Sequence, residues 1–556
     1  MSMKLYVRQL VVKALEQARD EGVLSFETLP EVVVEKPKVE EQGDFSTTIA
    51  LALAKSEKKN PRALAESIVN FLPSGDSDVS AVEIAGPGFI NFRMAPEFFL
   101  SRLLDIARQG EAFGSTNTGK NEKILLEFVS ANPTGPLHIG HGRGAAVGHS
   151  LSLLLKRAGF DVKTEYYVND VGNQMNNLGR STWLRYCELL GESTEFPDDL
   201  YRGEYIKEIA QEIIDAKGNE LLGKTEEESL PYFRKFSGDS ILNCIRDDLA
   251  NFGVEFDRWF SEGSLYEEDL VGKAVDWLRE KGHVYDKDGA VWLKSSEFND
   301  EKDRVLVKQS GERTYFCSDI AYHKDKIDRG FSKIVDLWGA DHHGYVPRMQ
   351  AVLEALGYSK EVFRVLLVQF VALKRGKEKV SMSTRSGEFI TLSEVVQEVG
   401  VDAARYFFLM RSSDSHLDFD LELAKEEAPE NPVFYIQYAH ARICSVFRNA
   451  QEKGLKVPSL EEVDLSVIKE AEAFSLIQKM LVFPEVIEKS ALAYEVHRVP
   501  HFLHDLVSAF HSYYAKHRIV SEDKPLSLAR LFLLDCVKTT IANGLSVMGV
   551  SAPEKM

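Results

Sequence analysis

Two histidines three residues apart, His138 and His141, stand just past the point where an apolar run is broken by a rigid turn. The string from Leu126 to Gly144 reads Leu-Glu-Phe-Val-Ser-Ala-Asn-Pro-Thr-Gly-Pro-Leu-His-Ile-Gly-His-Gly-Arg-Gly. Residues 124–129 are short and apolar enough for a buried parallel strand, and Asn132-Pro133-Thr134-Gly135-Pro136 fits neither a helix nor a central strand. From Gly144 onward Ala145, Ala146, Val147, Leu151, Leu154 and Leu155 recur at helical spacing, so His138, Gly140 and His141 fall at or just before a helix N-terminus. Unpaired amides and the helix dipole attract phosphate there. Two imidazoles on one side of the first turn add donors, and Gly140 leaves an open floor for a flat base. The chemistry this corner offers is the binding of ATP. Its bland alternative is a glycine-rich turn that merely lets helix and sheet pack closely.

Other groups are weighed the same way. Gly339-Ala340-Asp341-His342-His343-Gly344 follows an apolar run, putting a carboxylate and two imidazoles at a strand's carboxyl end, where open α/β sheets bind ligands. Lys374, Arg375, Lys377, Lys379 and Arg385 concentrate positive charge, either as a phosphate-facing loop or as a solvated surface. The stretch from Gly114 to Lys120 nearly spells a P-loop, but Asn121 replaces the magnesium-binding hydroxyl and no strand precedes it. His497, His501 and His504 are spaced for one helix face. They lack the acid of a His-Glu-x-x-His motif, Pro500 is expected to start a helix among them, and no metal is assigned.

The elements that must position these residues divide the 556-residue chain into three domains. Residues 1–115 read as an α+β module, helical over 1–22, extended at 32–34, helical again over 45–55, and strand-like at its end, 86–92. After a polar linker, 121–410 reads as a Rossmann-like, doubly wound α/β domain with a mostly helical insertion at about 175–290. Its later strands are expected at 290–293, 305–307, 334–338 and 363–371, with a helix over 345–356. From Asn431-Pro432 onward the pattern is helical, giving an all-helical domain over 430–556.

Composition limits the class. With 44% hydrophobic residues the chain can bury several cores, and no apolar run suggests a membrane span. Residues 1–22 are amphipathic rather than signal-like. Cys187, Cys244, Cys317, Cys444 and Cys536 are scattered without a Cys-x-x-Cys pair, which fits a reducing, cytoplasmic setting and no structural zinc. The net charge of -19 opposes a nucleic-acid partner at first sight. Net charge governs solubility and steering rather than a local groove, so such a partner would need concentrated basic patches on an acidic body.

The string from Glu127 to Gly144 resembles the ATP-binding signature of class I aminoacyl-tRNA synthetases, and its Asn-Pro-Thr-Gly-Pro-Leu-His-Ile-Gly-His-Gly-Arg form resembles the arginyl-tRNA synthetase family. Gly43-Asp44-Phe45-Ser46, Gly86-Pro87-Gly88-Phe89-Ile90-Asn91-Phe92, the string from Tyr167 to Gln174, Thr314 to Ala321, Pro500 to Tyr514 and the ending Gly549 to Met556 are similar to that family too. The resemblance implies activation of L-arginine by ATP to arginyl-adenylate, then transfer to the 2′-hydroxyl of the terminal adenosine of tRNA(Arg). It further implies magnesium with ATP but no tightly bound metal, a monomer, and an activation step that needs tRNA. The N-terminal domain would reach the tRNA's outer corner and the helical domain its anticodon.

Carried over residue by residue, the resemblance gives His138, Gly140, His141, Gly339, Asp341, His342, Met382 and Ser383 to ATP. Tyr315, Asp319, Asn132, Glu127 and His342 go to arginine, with Asn132 at the α-amino group. Phe45, Tyr435, Tyr438 and Met556 go to tRNA. The physics agrees in kind: adenylation needs position and positive charge, and a guanidinium needs a carboxylate in fork geometry. Tyr315 and Asp319, four apart, would share a helix face. One departure is large. Where the family's mobile loop reads Lys-Met-Ser-Lys-Ser, this chain has Ser381-Met382-Ser383-Thr384-Arg385, and Thr134 to Leu137 supply no substitute lysine. Lys379 and Arg385 are the expected replacements, completing a catalytic set with His138 and His141. Two other readings stay open: a nucleotidyltransferase of the same fold, and a tRNA-binding relative without catalysis. Arginine-dependent pyrophosphate exchange separates them.

Overall fold

The computed structural model describes residues 3–37, 39–73, 75–376, 378–379 and 390–556. Lys377, Met382, Ser383 and Arg385 therefore lie outside the described residues. At the centre is a five-stranded, wholly parallel sheet in the order Phe363–Val368, Lys333–Gly339, Lys123–Glu127, Asp161–Val168, Arg258–Ser261. Counted along the chain and read from the Arg258–Ser261 edge, that order is 3-2-1-4-5, the doubly wound arrangement, with its switch point between Lys123–Glu127 and Lys333–Gly339. Ile124, Leu125 and Leu126 are buried, as a strand covered on both faces requires.

The first strand ends at Glu127, before Val129. Val129 and Ser130 adopt left-handed backbone angles, φ 68° and 43°, so the chain turns over the sheet's edge there. A β-branched residue in that region is strained, and the strain sits at the switch point. Ser130 Oγ holds it by donating to Glu127 Oε1 at 2.8 Å and accepting from the Tyr167 amide at 3.1 Å.

Three helices, Asn173–Leu189, Glu204–Lys217 and Glu226–Asn251, form the expected insertion, but it closes well before residue 290 because Arg258–Ser261 returns as the sheet's edge strand. The segments at 290–293 and 305–307 are strands outside the main sheet. Val284–Lys287, Ala290–Leu293 and Arg304–Val307 make a separate antiparallel sheet. Asp288-Gly289 between the first two, both with positive φ, is a two-residue hairpin turn, the signal that favours local pairing over the main sheet. The expected strand at 363–371 also divides. Val371–Arg375 leaves the main sheet after Gln369-Phe370 and pairs in parallel with Leu417–Asp420 and antiparallel with Glu378–Lys379. The expected helix at 345–356 is the 3-10 turn Ala340–Tyr345 followed by Val346–Ala355.

In the N-terminal domain a four-stranded antiparallel sheet packs against helices that include Met3–Asp20 and Pro61–Asn70. Residues 45–47 are a strand there, and the helix begins only at Ile49. The C-terminal domain is helical, and Arg498–Lys516 runs straight through Pro500, which sits in the first turn where a missing N–H costs nothing. Lys524–Met548 is long and apolar enough to cross a membrane by length and composition, but most of it is buried in the protein's interior.

Candidate active site

The helix Ile139–Arg157 begins immediately beyond the turn, and its cap is made by the two histidines themselves. His138 Nδ1 accepts from the amides of Gly140 at 3.1 Å and His141 at 3.3 Å, and His141 Nδ1 accepts in return from the His138 amide at 3.3 Å. The imidazoles stack with centroids 3.6 Å apart and planes 15° apart. With Nδ1 an acceptor on both rings, each proton resides on Nε2, on the side away from the cap. Burial pushes both rings' pKa down, His141 to about 3, with the neighbouring His138 adding to the effect. At neutral pH they are uncharged donors. Ser, Thr, Asp and Asn are the usual residues at this position; here histidine caps the helix and also brings two imidazoles to its N-terminus.

Across the switch point a cluster of carboxylates faces one space. Asp319 lies in the helix Tyr315–Asp328 and accepts from the Tyr345 hydroxyl through Oδ2. Glu262, only 3% exposed, starts the short helix after the edge strand. Asp170 accepts from the Gly263 amide at 2.9 Å and from Ser261. Burial raises the Asp319 pKa, and burial with the Asp319 and Asp170 charges raises that of Glu262 to about 7, although the Tyr167 hydroxyl opposes the rise. Among the described residues no Lys, Arg or His forms an ion pair with any of the three. Glu262 is buried and Asp319 and Asp170 are part-buried; held by hydroxyl and amide donors rather than by a close ion pair, with Asp319 and Asp170 raising the proton affinity of Glu262, the three form an acidic cluster suited to a cation. Tyr315, 67% exposed, stands one turn before Asp319, with its hydroxyl beside Gly172. Asn132 donates to Gln174 Oε1 at 2.7 Å on the turn.

Glu127, expected to assist Asn132 at the arginine, is 7% exposed and engaged with Lys326 and Ser130. Lys326 also reaches Asp336 Oδ1 at 2.9 Å, and His323 spans Asp336 Oδ2 at 3.0 Å and the Asp319 carbonyl at 2.8 Å. Burial alone would lower the Lys326 pKa, but Asp336 and Glu127 more than offset it. This buried lattice fixes the Asp319 helix against the sheet. Gly339, Asp341 and His342 sit at the carboxyl end of the neighbouring strand, in an exposed turn. Lys374 pairs with Asp418, and Arg375 with Glu398 and Glu422, whereas Lys379 has no ion pair among the described residues.

Of the residues nominated for tRNA, Phe45 is corrected. Its ring is 5% exposed in the N-terminal core, because alternation in the strand 45–47 turns it inward. Tyr438 and Met556 line a cavity of about 1030 Å³ in the helical domain with Arg442, Arg448, Lys453, Lys516, Arg518 and Lys555, and no acidic side chain lines it. Tyr435 lies nearby, 4.8 Å from the His511 ring. The basic patch demanded by a nucleic-acid partner thus exists on the acidic body.

Sequence reasoning missed Glu262 and Tyr345. The carboxyl-end rule would have found Glu262 had 258–261 been read as a strand instead of part of a helical insertion. Tyr345 follows the Asp341-His342-His343 string directly, and only the fold brings it to Asp319.

Three family models match in succession: Arginyl tRNA synthetase N terminal domain over 6–94, tRNA synthetases class I (R), catalytic domain over 103–420, and DALR anticodon binding domain over 436–556. An arginine–tRNA ligase of Syntrophotalea carbinolica is 51% identical over 554 residues, covering 100% of both chains. One from Bacillus subtilis is 47% identical over 555 residues, covering 100% of this chain and 98% of its own. The solved arginyl-tRNA synthetase of Thermus thermophilus superposes with a TM-score of 0.77 over 100% of both chains at 20% identity, a likeness of fold.

Proposed function

Since the chain belongs to the arginyl-tRNA synthetase family, we propose that it activates L-arginine with ATP and transfers it to the terminal adenosine of tRNA(Arg). The observation that carries the reading is the acidic cluster of Asp319, Glu262 and Asp170, which holds no ion pair among the described residues, together with the capped histidine pair at the sheet's switch point. A guanidinium supplies the missing positive charge and planar donors, with Tyr315 beside it. Asn132, oriented by Gln174, takes the α-amino group.

His138 and His141 offer Nε2–H to the phosphates, and Gly140 leaves room for the nucleotide. Gly339, Asp341 and His342 line its adenosine side. Lys379, which forms no ion pair among the described residues although Asp418 lies within its electrostatic reach, supplies positive charge, joined by Arg385, Met382 and Ser383. An arginine carboxylate oxygen attacks the α-phosphorus, the bond from that phosphorus to the bridging oxygen breaks, and pyrophosphate leaves with the electron pair. Magnesium bound to ATP would supply charge neutralisation to the leaving phosphates. The ribose 2′-hydroxyl then attacks the arginyl carbonyl, losing its proton as AMP departs. The basic cavity around Tyr438 and Met556, with Tyr435 beside it, holds the anticodon end. We place the enzyme in the cytoplasm as a monomer, its five cysteines unpaired.

Arginine-dependent exchange of pyrophosphate into ATP, with tRNA(Arg) present, tests this. No exchange would remove the reading. Binding of tRNA without exchange would favour a non-catalytic relative, for which the absent loop lysines are the motive.

A further inference from the structure

Arg143 lies two residues past His141 in the same helix, and its side chain is fully buried, 0% exposed. Its guanidinium makes no ion pair among the described residues. It spends three hydrogen bonds on backbone carbonyls instead: Nη1 to Gln369 at 2.8 Å and Ser415 at 2.8 Å, and Nη2 to Ser412 at 2.8 Å. These carbonyls have one thing in common. Gln369 stands two residues before Val371–Arg375 and Ser415 two before Leu417–Asp420, so one planar fork pins the chain where both parallel strands of the small sheet begin. The Gln369 amide ties these two strand starts together by donating to the Ser413 carbonyl at 2.8 Å. That sheet carries Lys374, Arg375 and Lys379, and after Ile390 the chain returns to the same helix. His138 and Thr391 form an antiparallel bridge, and the Leu392 amide donates to the Leu137 carbonyl at 2.8 Å.

We infer that Arg143 is a positioning residue for adenylation, holding the basic hairpin that bears Lys379 in register with the phosphate-facing histidines. This rests on the reading of the histidine corner and hairpin as the ATP site. Burying a guanidinium without a carboxylate is costly, and a Leu or Met would fill the same volume. What apolar packing cannot supply is a rigid fork that fixes three carbonyls at once. Burial draws the Arg143 pKa down to about 10, opposed by Asp414, which still leaves it charged at neutral pH. The helix that places the imidazoles therefore also anchors the sheet that carries Lys379, and a displacement of about an ångström between the two would slow phosphoryl chemistry strongly.

The test is Arg143→Lys, which keeps charge and burial but loses the fork, assayed by tRNA- and arginine-dependent pyrophosphate exchange alongside thermal melting. The variant is expected to fold, with exchange kcat down about tenfold or more, KM for ATP raised, and KM for arginine within about twofold of the parent. Adding Lys379→Ala should cost little more, since both changes act on one unit. A folded Arg143→Lys with unchanged kcat and KM for ATP overturns the assignment, as does a double variant whose losses multiply. Should Arg143→Lys not fold, Arg143→Gln is read by the same criteria, and failure of both to fold makes the residue structural and refutes the proposal. A wild-type protein without exchange sinks the proposed function itself. An active wild type with an unimpaired Lys379→Ala sinks only the link through the hairpin.

Discussion

Glu262→Gln should make the empty protein more stable and the enzyme worse. Burial and two neighbouring carboxylates lift the Glu262 pKa from its ordinary value near 4.5 to about 7. Between those values the folded chain holds a proton that the unfolded chain has released, so stability falls as pH rises through the window and the loss is complete above about 7. At about 1.4 kcal/mol per tenfold change in proton affinity, the ionised carboxylate costs the fold on the order of 3 kcal/mol at pH 8. The matched catalytic segment, 103–420, has an unfolding entropy on the order of 0.7 kcal/mol/K, so Gln should raise its melting temperature by about 4 °C at pH 8. At pH 4.5, where Glu262 is protonated in the fold, the gain should nearly vanish. Arginine reverses the ranking, because its guanidinium neutralises the cage. It should stabilise the parent far more than the variant, and its binding near pH 6.5 should release protons, visible as a dependence of calorimetric heat on buffer ionisation enthalpy. Melting curves at pH 5 and pH 8, with and without 10 mM arginine (about that concentration suffices for a linkage shift), read all of this. A variant no more stable at pH 8, or one stabilised by arginine as much as the parent, would refute the cage.

Other outcomes follow from the same geometry. Asp319→Asn should raise KM for arginine by about 5- to 150-fold, the range of about 1–3 kcal/mol for a charge-assisted pair, with KM for ATP unchanged, as exchange kinetics would show. His141→Ala should slow adenylation by about 100-fold while costing about 1 kcal/mol of stability through the lost cap, and single-turnover measurement separates the two. Because the pKa of His141 is pushed down to about 3, no rise in activity attributable to its protonation should appear between pH 8 and pH 5 in the rate of adenylate formation. Arg442→Ala in the basic cavity should weaken tRNA binding and flatten its salt dependence by about one unit of slope, leaving arginine-dependent steps intact at saturating tRNA.

Local signals carried much of the architecture. The apolar run at 124–126, the Pro-Thr-Gly-Pro turn and the helical spacing after Gly144 place the histidine corner, because each is a property of contiguous residues. What the sequence hid depends on distant pairing. The four residues Arg258–Ser261 lack any long apolar run and become a sheet strand only by pairing with Asp161–Val168, so Glu262 was invisible as a ligand. Phe45 was assigned to tRNA by resemblance alone, yet residues 45–47 pair with Phe89–Met94 and face its ring inward. Glu127 was near the right place in sequence, but whether a carboxylate faces a ligand or a buried lysine is decided by Lys326, almost two hundred positions on.

Burial acts with opposite sign on the two halves of the site, and that contrast bears on the order of events. It keeps His138 and His141 neutral, so in the proposed site they would orient phosphates by hydrogen bonding without binding anions strongly on their own. It makes the carboxylates of Glu262 and Asp319 expensive to ionise until a cation arrives. A free anion gains little in such a place, and whatever part of the cage is ionised before arginine binds repels the triphosphate through a low-dielectric gap. Arginine removes that repulsion as its guanidinium enters, and the nucleotide side then depends on the cation that the hairpin carries. Nucleotide affinity should therefore increase when arginine is bound, and by linkage arginine affinity should increase by the same factor when nucleotide is bound. Titrating a non-hydrolysable ATP analogue into the parent and into Glu262→Gln, each with and without arginine, measures that coupling. A coupling of equal size in the variant, whose cage has lost one of its charges, would show that the two ligands communicate by some route other than this electrostatic one.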